Sequence, residues 1–208
     1  MSERHIRNRK RHYGRIMEEY QNSRDPEKVM NIFYPGETGM NYLIYEKNPL
    51  NIGYGLSRKP LLSEQYVGCN GIALLSGKYG VLSHYNPDAG DIYIHASRTA
   101  KAILSRNTGD ETLAILIGGN RSHAETNREI LMERGIRIMG EYIDGVGSEN
   151  PATFKMGDYL PSKNVLVLPA RQEVIVQIKL KLAVDPLLDL DSVAYIVFRR
   201  GRGPKRFL

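Results

Sequence analysis

The plainest pattern in the chain has a period of two. Between 173 and 182, Val174, Val176, Ile178, Leu180 and Leu182 fall on every second position. That spacing lines one face of a β-strand with apolar groups. Residues 165–168 and 192–199 read as strands beside it. Further upstream, 67–75 and 79–85 read as two strands joined by Ser76-Gly77-Lys78, a hairpin. Residues 113–117 form an unbroken apolar run ending in Gly118-Gly119, and 136–142 read as the next strand.

Elsewhere the period is helical. Residues 91–105 carry Ala96, Ala100, Ile103 and Leu104 at positions that share one helical face. Residues 122–134 predict a second helix, with Ile130 and Leu131 inward and Gly135 as its stop. Asp25-Pro26-Glu27 reads as an N-cap, a proline in the first turn and an early acid, opening a short helix to about Ile32. Tyr13, Ile16, Met17 and Tyr20 predict a helix over 8–21, weakened by Gly14. Residues 34–60 hold no sustained period and read as a loop or weak strands. The strand–helix–strand unit over 113–142 is the clearest mixed signal. The expected fold is α+β, with mixed β-sheets in a layered sandwich and flanking helices. The expected division is a basic helical extension over 1–33, one domain over 34–199 and a basic tail over 200–208.

Composition narrows the class. Hydrophobic residues make up 41% of the 208, enough for a sizeable core, and 13 Tyr with no Trp suit a β-rich one. One cysteine excludes an internal disulfide and points to a reducing compartment. No apolar run approaches the roughly 20 residues of a membrane span, and the N-terminal stretch has no apolar core of a secretory signal. A soluble, cytoplasmic protein is expected. Charge changes the picture more. Residues 1–15 hold six Arg/Lys against Glu3, and 199–208 hold Arg199, Arg200, Arg202, Lys205 and Arg206 with no acid, so the residues between are net negative. Such ends suit nucleic acid or an acidic protein partner; they also suit solvated termini.

The candidate chemistry sits on the hairpin. Cys69 is flanked by Gly68 and Asn70 at the start of one strand, and His84 lies near the end of the other. The hairpin brings those ends together. A thiolate is a strong nucleophile, an imidazole can take its proton, and backbone N–H groups at Gly68 and Asn70 can hold a developing oxyanion. Taken singly, such a cysteine is also an ordinary small buried hydrophobe. His95 and His123 are further candidates for a base, and Cys69, His84 and His95 fit no trusted metal spacing. Gly118-Gly119-Asn120 lacks the lysine and glycine spacing of a phosphate loop, so it reads as a tight turn that can line the cleft.

In order along the chain, these pieces form a longer pattern. Ser63 stands six residues before Cys69, Gly80 four before His84, and then come Leu116-Ile117-Gly118-Gly119, Asn127 and Gly135-Ile136 to Glu141. This ordered set resembles the CheD family of receptor glutamine deamidases over about 61–147. That family carries Thr where Ser63 stands and usually Ser where Gly68 stands. The resemblance implies a cysteine hydrolase fold shared with cytotoxic necrotizing factor catalytic domains and YfiH-like cysteine hydrolases. It implies Cys69 as nucleophile, His84 as base and Ser63 as the hydroxyl orienting the imidazole. It further implies deamidation of glutamine in a protein substrate, as in chemotaxis, through a thioester and without a cofactor or metal. Two other functions stay open: a non-catalytic interaction module using its basic ends, and a cysteine hydrolase acting on a small molecule.

Overall fold

A two-residue turn organises the centre of the protein. In the computed structural model, Ser76 pairs with Tyr79, so Gly77 and Lys78 alone reverse the chain. Gly77 has φ +52, left-handed backbone that glycine adopts without a Cβ penalty. The residues described are 22–33, 41–42, 52–66, 69–85, 91–106, 109–119, 121–143, 162–181 and 191–207. The chain divides into two units, Met1–Met40 and Asn41–Leu208. In the first, helix α1 (Pro26–Phe33) starts as its residues predict, with Asp25 Oδ1 accepting from the Glu27 N–H at 2.9 Å. The helix predicted over 8–21 lies outside the described residues.

The second unit carries eleven described strands and two described α-helices. The strands are β1 (Asn41–Tyr42), β2 (Ile52–Ser57), β3 (Leu61–Tyr66), β4 (Asn70–Ser76), β5 (Tyr79–Tyr85), β6 (Leu113–Gly118), β7 (Arg137–Tyr142), β8 (Ser162–Leu168), β9 (Glu173–Lys181), β10 (Asp191–Arg199) and β11 (Arg202–Phe207). Helix α2 (Ile92–Leu104) precedes β6, and α3 (Arg121–Glu133) joins β6 to β7. One sheet runs β1-β3-β8-β9-β10-β11, the other β2-β5-β4-β6-β7. Pairing is antiparallel except at β1–β3 and β6–β7. The parallel β6–β7 pair needs the α3 crossover between its strands.

The layers follow from side-chain parity. Ala73, Leu75, Leu82, Ile115 and Ile117 of the five-stranded sheet meet Leu61, Val165, Val167, Val174 and Val176 of the six-stranded one. The opposite face of the five-stranded sheet, with Ile72, Leu74, Val81 and Leu116, packs on Ala96, Ala100 and Ile103 of α2 and Ile130 and Leu131 of α3. Full burial of one such aliphatic side chain contributes about 1.5–3 kcal/mol. The result is the expected α+β layered sandwich: helices, sheet, sheet. Among the described residues, no helix is long and apolar enough to cross a membrane.

Three expectations are corrected and one, the loop or weak strands over 34–60, is sharpened. Leu104 is 41% exposed instead of inward, because it lies about 100° past Ile103 around the helix. The stretch read as loop or weak strands contains β2, paired with β5 along its whole length. Its Ile52, Tyr54 and Leu56 alternate with Gly53 and Gly55, a pattern that glycine content disguises. The predicted 67–75 strand begins at Asn70, with 67 and 68 outside the described residues. The basic tail is also no mere appendage: Arg202–Phe207 pairs with β10 as an edge strand whose side chains are all exposed. Strand pairing uses backbone groups and needs no apolar side chains. The charges and Pro204 on that edge discourage further strands from adding.

Candidate active site

β3 delivers the site's first groups through an irregularity in its pairing. Ser63 lies opposite Val165, and Tyr66 lies opposite Lys163, so β3 spends one more residue than β8 between the two pairs. In a regular strand, positions 63 and 66 face opposite ways. The extra residue turns both toward the space between the sheets, as β-bulges do. Ser63, 1% exposed, sets its Oγ 3.1 Å from His84 Nδ1. The Tyr66 ring stacks on the imidazole with centroids 3.9 Å apart and planes 11° from parallel, and its hydroxyl donates to the Ser83 carbonyl at 2.9 Å.

The neighbours of His84 in its own sheet make room for that stack. On one side it pairs with Gly71 of β4, on the other with Gly53 of β2. A Cβ at Gly71 would lie 2.6 Å from Tyr66 Cε1 and 3.1 Å from the Ser83 carbonyl oxygen. Gly80 has a similar cause, since a Cβ there would come 2.7 Å from Pro169 Cγ and 2.9 Å from Val167. Gly71 lets the six-stranded sheet come close where the site forms, and Gly80 does so at the hairpin end of β5.

Cys69 precedes β4 by one residue. It is half-buried and packs against the cluster between the sheets that includes Tyr66. Two residues on, Gly71 is the direct partner of His84, so alternation brings Cys69 to the same face, diagonal to the imidazole. Asn70 points the other way. Its side chain is 1% exposed and occupies the place of a Cβ on Gly119, with Nδ2 3.1 Å from His123 Nδ1 of α3. Gly118 (φ +65) and Gly119 (φ +70) are both left-handed, and a Cβ on Gly118 would strike the Cys69 carbonyl oxygen. The Gly-Gly pair thus wraps the backbone of the nucleophile candidate. Gly68 lies outside the described residues.

One participant was not anticipated. Lys163 of β8 is fully buried, with Nζ 3.4 Å from the point where a Gly118 Cβ would sit, the same point that the Cys69 carbonyl oxygen abuts. The strand predicted there began at residue 165. Extending it back two places puts Lys163 in one row with Val165 and Val167, a signal that parity alone supplies.

The electrostatics follow from burial and this lysine. Burial, and then the Lys163 charge, lower His84 from 6.5 to about 4. The imidazole is therefore neutral at pH 7. In the tautomer whose Nδ1–H donates to Ser63 Oγ, the basic atom is Nε2. Tyr66 is held well above the usual phenol range, mainly by burial and further by the charge of Cys69, against the Ser63 hydrogen bond. It stays a neutral phenol.

The remaining candidates fall elsewhere. His95 of α2 is buried on the helix side of the sheet, with Nε2 2.9 Å from Ser83 Oγ and its ring stacked on Tyr85. Ser83 and His84 are consecutive strand residues and face opposite ways. Cys69, His84 and His95 are thus split across the sheet and cannot share one ion. Among the described residues, no group of three or more His, Cys, Asp or Glu is arranged for a metal. Asn127 is buried in α3, and Glu141 binds Arg128 through both carboxylate oxygens at 2.6 and 2.7 Å, tying α3 to β7. The Arg128–Glu141 pair braces the crossover. No protein-family model and no curated protein sequence matches the chain.

Proposed function

We propose that this protein is a cysteine-dependent amidohydrolase of the CheD type, deamidating glutamine side chains in a protein substrate. The observation that carries this reading is the Ser63 Oγ–His84 Nδ1 contact at 3.1 Å, beside a cysteine on the same sheet face. An orienting hydroxyl, a base and a nucleophile in that order are what acyl transfer from an amide needs. Cys69 passes its thiol proton to His84 Nε2 and attacks the carboxamide carbon as the thiolate, and backbone N–H groups at Gly68 and Asn70 receive the oxyanion. The C–N bond breaks as His84 Nε2 delivers the proton that departing ammonia requires. His84 then draws a proton from the water whose oxygen attacks the thioester. The net change is amide plus water to carboxylate plus ammonium. Such a thiol stays reduced in the cytoplasm, where we place the protein.

The test is ammonia release from glutamine-bearing proteins, with mass spectrometry locating the converted side chain. C69A should abolish release and H84A should nearly do so. Undiminished activity in pure C69A would sink the reading. Release from free amides but not from proteins would move it to a small-molecule hydrolase.

The exposed basic edge β11 supports a second reading, an interaction module for nucleic acid or an acidic protein. Such binding would weaken steeply with salt. It would be lost on neutralising Arg202, Lys205 and Arg206, while alkylation of Cys69 stayed slow.

A further inference from the structure

The turns at one end of the sandwich gather cations that lie far apart in the chain. Ser57 pairs with Gly80, Ser76 with Tyr79, Leu75 with Leu113 and Leu113 with Arg137, so β2, β4, β5, β6 and β7 share that end. The six-stranded sheet joins it through Gln172. Its Nε2 donates to the Gly77 carbonyl at 2.6 Å, and its Oε1 accepts from Arg200 Nη1 at 3.1 Å. Arg58 and Lys59 follow β2, Lys78 occupies the hairpin turn, Arg106 lies just past α2 and Arg200 follows β10. Two of these guanidinium groups sit against one ring: Arg58 lies 4.6 Å and Arg106 5.7 Å from the centroid of Tyr79. Arg58 Nη2 also donates to the Tyr79 hydroxyl at 2.5 Å, so a ring contact and a hydrogen bond hold its fork in place. Like charges drawn to one ring repel unless an anion comes between them. Among the described residues, no carboxylate pairs with Arg58, Lys59, Lys78 or Arg106. The nearby acids are engaged with other arginines: Glu173 with Arg171 and Arg199, Glu111 with Arg137 and, at 3.7 Å, Arg200. Asp110 and Glu133 are the other acids at this end, so cations remain in excess.

We propose that this end of the sandwich is a nucleic-acid-binding face, with Arg58, Lys59, Lys78, Arg106 and Arg200 contacting the phosphodiester backbone of a single strand. Arginine forks match phosphate oxygens two at a time. A backbone with one charge per nucleotide suits cations spread over several turns. The guanidinium planes and the half-buried Tyr79 ring add surfaces on which unpaired bases stack. An acidic peptide has no use for such surfaces, so the face favours nucleic acid over an acidic protein. His84 lies five residues from Tyr79 along β5, about 17 Å away at the usual strand rise. A strand bound at the turns therefore leaves the cluster around His84 open. The proposal is independent of the deamidase reading. It rests on the second reading only for the existence of a polyanionic partner, and it moves the surface from β11 to the turns.

The experiment titrates a fluorescein-labelled oligouridine with the full chain and reads anisotropy over a salt series. Five contacts to a single strand predict a slope of log K against log salt of about −3.5. K59Q/K78Q removes two exposed charges and should make the slope shallower by about 1.4, a loss of about 25-fold in affinity near about 0.1 M salt. R58Q/R106Q should act alike through the other two turns. Neutralising Lys205 and Arg206 should leave the slope unchanged. Poly-glutamate at equal charge should fail to displace the oligouridine. No binding at low salt, or an unchanged slope in both charge variants, would overturn the proposal. Binding lost in K205Q/R206Q but kept in K59Q/K78Q would overturn it too and return the surface to β11, leaving the second reading standing. Displacement by poly-glutamate would give the face to an acidic protein instead. Ammonia release is read separately, so the failure of either reading is seen without the other.

Discussion

Two buried histidines make the fold acid-labile, and the size of the effect can be worked out. His84 falls from 6.5 to about 4 by burial and then the Lys163 charge. His95 falls from 6.5 to about 3 by burial and then the charge of His84. In the unfolded chain each ring binds a proton as the pH drops through 6.5. In the folded protein each stays neutral down to its lower value. The unfolded state thus binds more protons over that window, and stability falls as pH falls. The contribution is full above pH 6.5, and the loss levels off near pH 4 for His84 and near pH 3 for His95. At 1.36 kcal/mol per unit of separation, each ring removes roughly 2–3 kcal/mol at pH 4.5, or about 5 together. That is comparable with the whole stability of an ordinary domain. Urea melts at pH 7 and pH 4.5, at fixed ionic strength, measure the loss. H95Q offers a polar end to Ser83 Oγ without titrating, so it should lose roughly 2–3 kcal/mol less than the parent chain. The carboxylates are common to both chains and cancel. A difference under about 1 kcal/mol would refute the assignment of His95 as a neutral ring buried against Ser83.

Other perturbations read individual contacts. S63A leaves the His84 Nδ1–H without its 3.1 Å partner and should cost about 1–3 kcal/mol. It should also cut ammonia release at least tenfold, with Tyr66 still holding the ring plane; unchanged release would remove Ser63 as the orienting group. G71A forces a methyl to within 2.6 Å of Tyr66 Cε1 and should destabilise by about 1–3 kcal/mol in denaturant melts. A neutral G71A would mean that the ring does not lie over β4. Glu173, 2% exposed, accepts from Arg171 and Arg199, so E173Q should cost about 3 kcal/mol, and a change within 0.5 kcal/mol of zero would contradict that pairing.

Much of the architecture could be read before any tertiary contact was known. The period-two rows of β9, the tight hairpin turn, the Asp25-Pro26 helix start and the strand–helix–strand unit around α3 are local devices, and each sits where local chemistry puts it. The likeness to the CheD pattern drew Ser63 toward His84 across 21 residues, and the two do meet. Other features were hidden for identifiable reasons. β2 read as no more than loop or weak strand because Gly53 and Gly55 blur its alternation. β11 looked like a charged tail because an edge strand needs only backbone partners. Tyr66 could not be assigned a face, because one extra residue in β3 reverses every parity argument beyond it.

Sequence alone determined the order of elements, the caps and turns, and the residue types able to do chemistry, since these depend on near neighbours along the chain. Tertiary structure decided which of those residues share one space. Parity says that two residues lie on the same face of a strand; only the pairing register and the bulge say which face looks between the sheets. That register sends His95 to the helix side. It turns Ser63 and Tyr66 onto His84, and it carries Lys163 from a strand nearly a hundred residues away into the neighbourhood of Cys69.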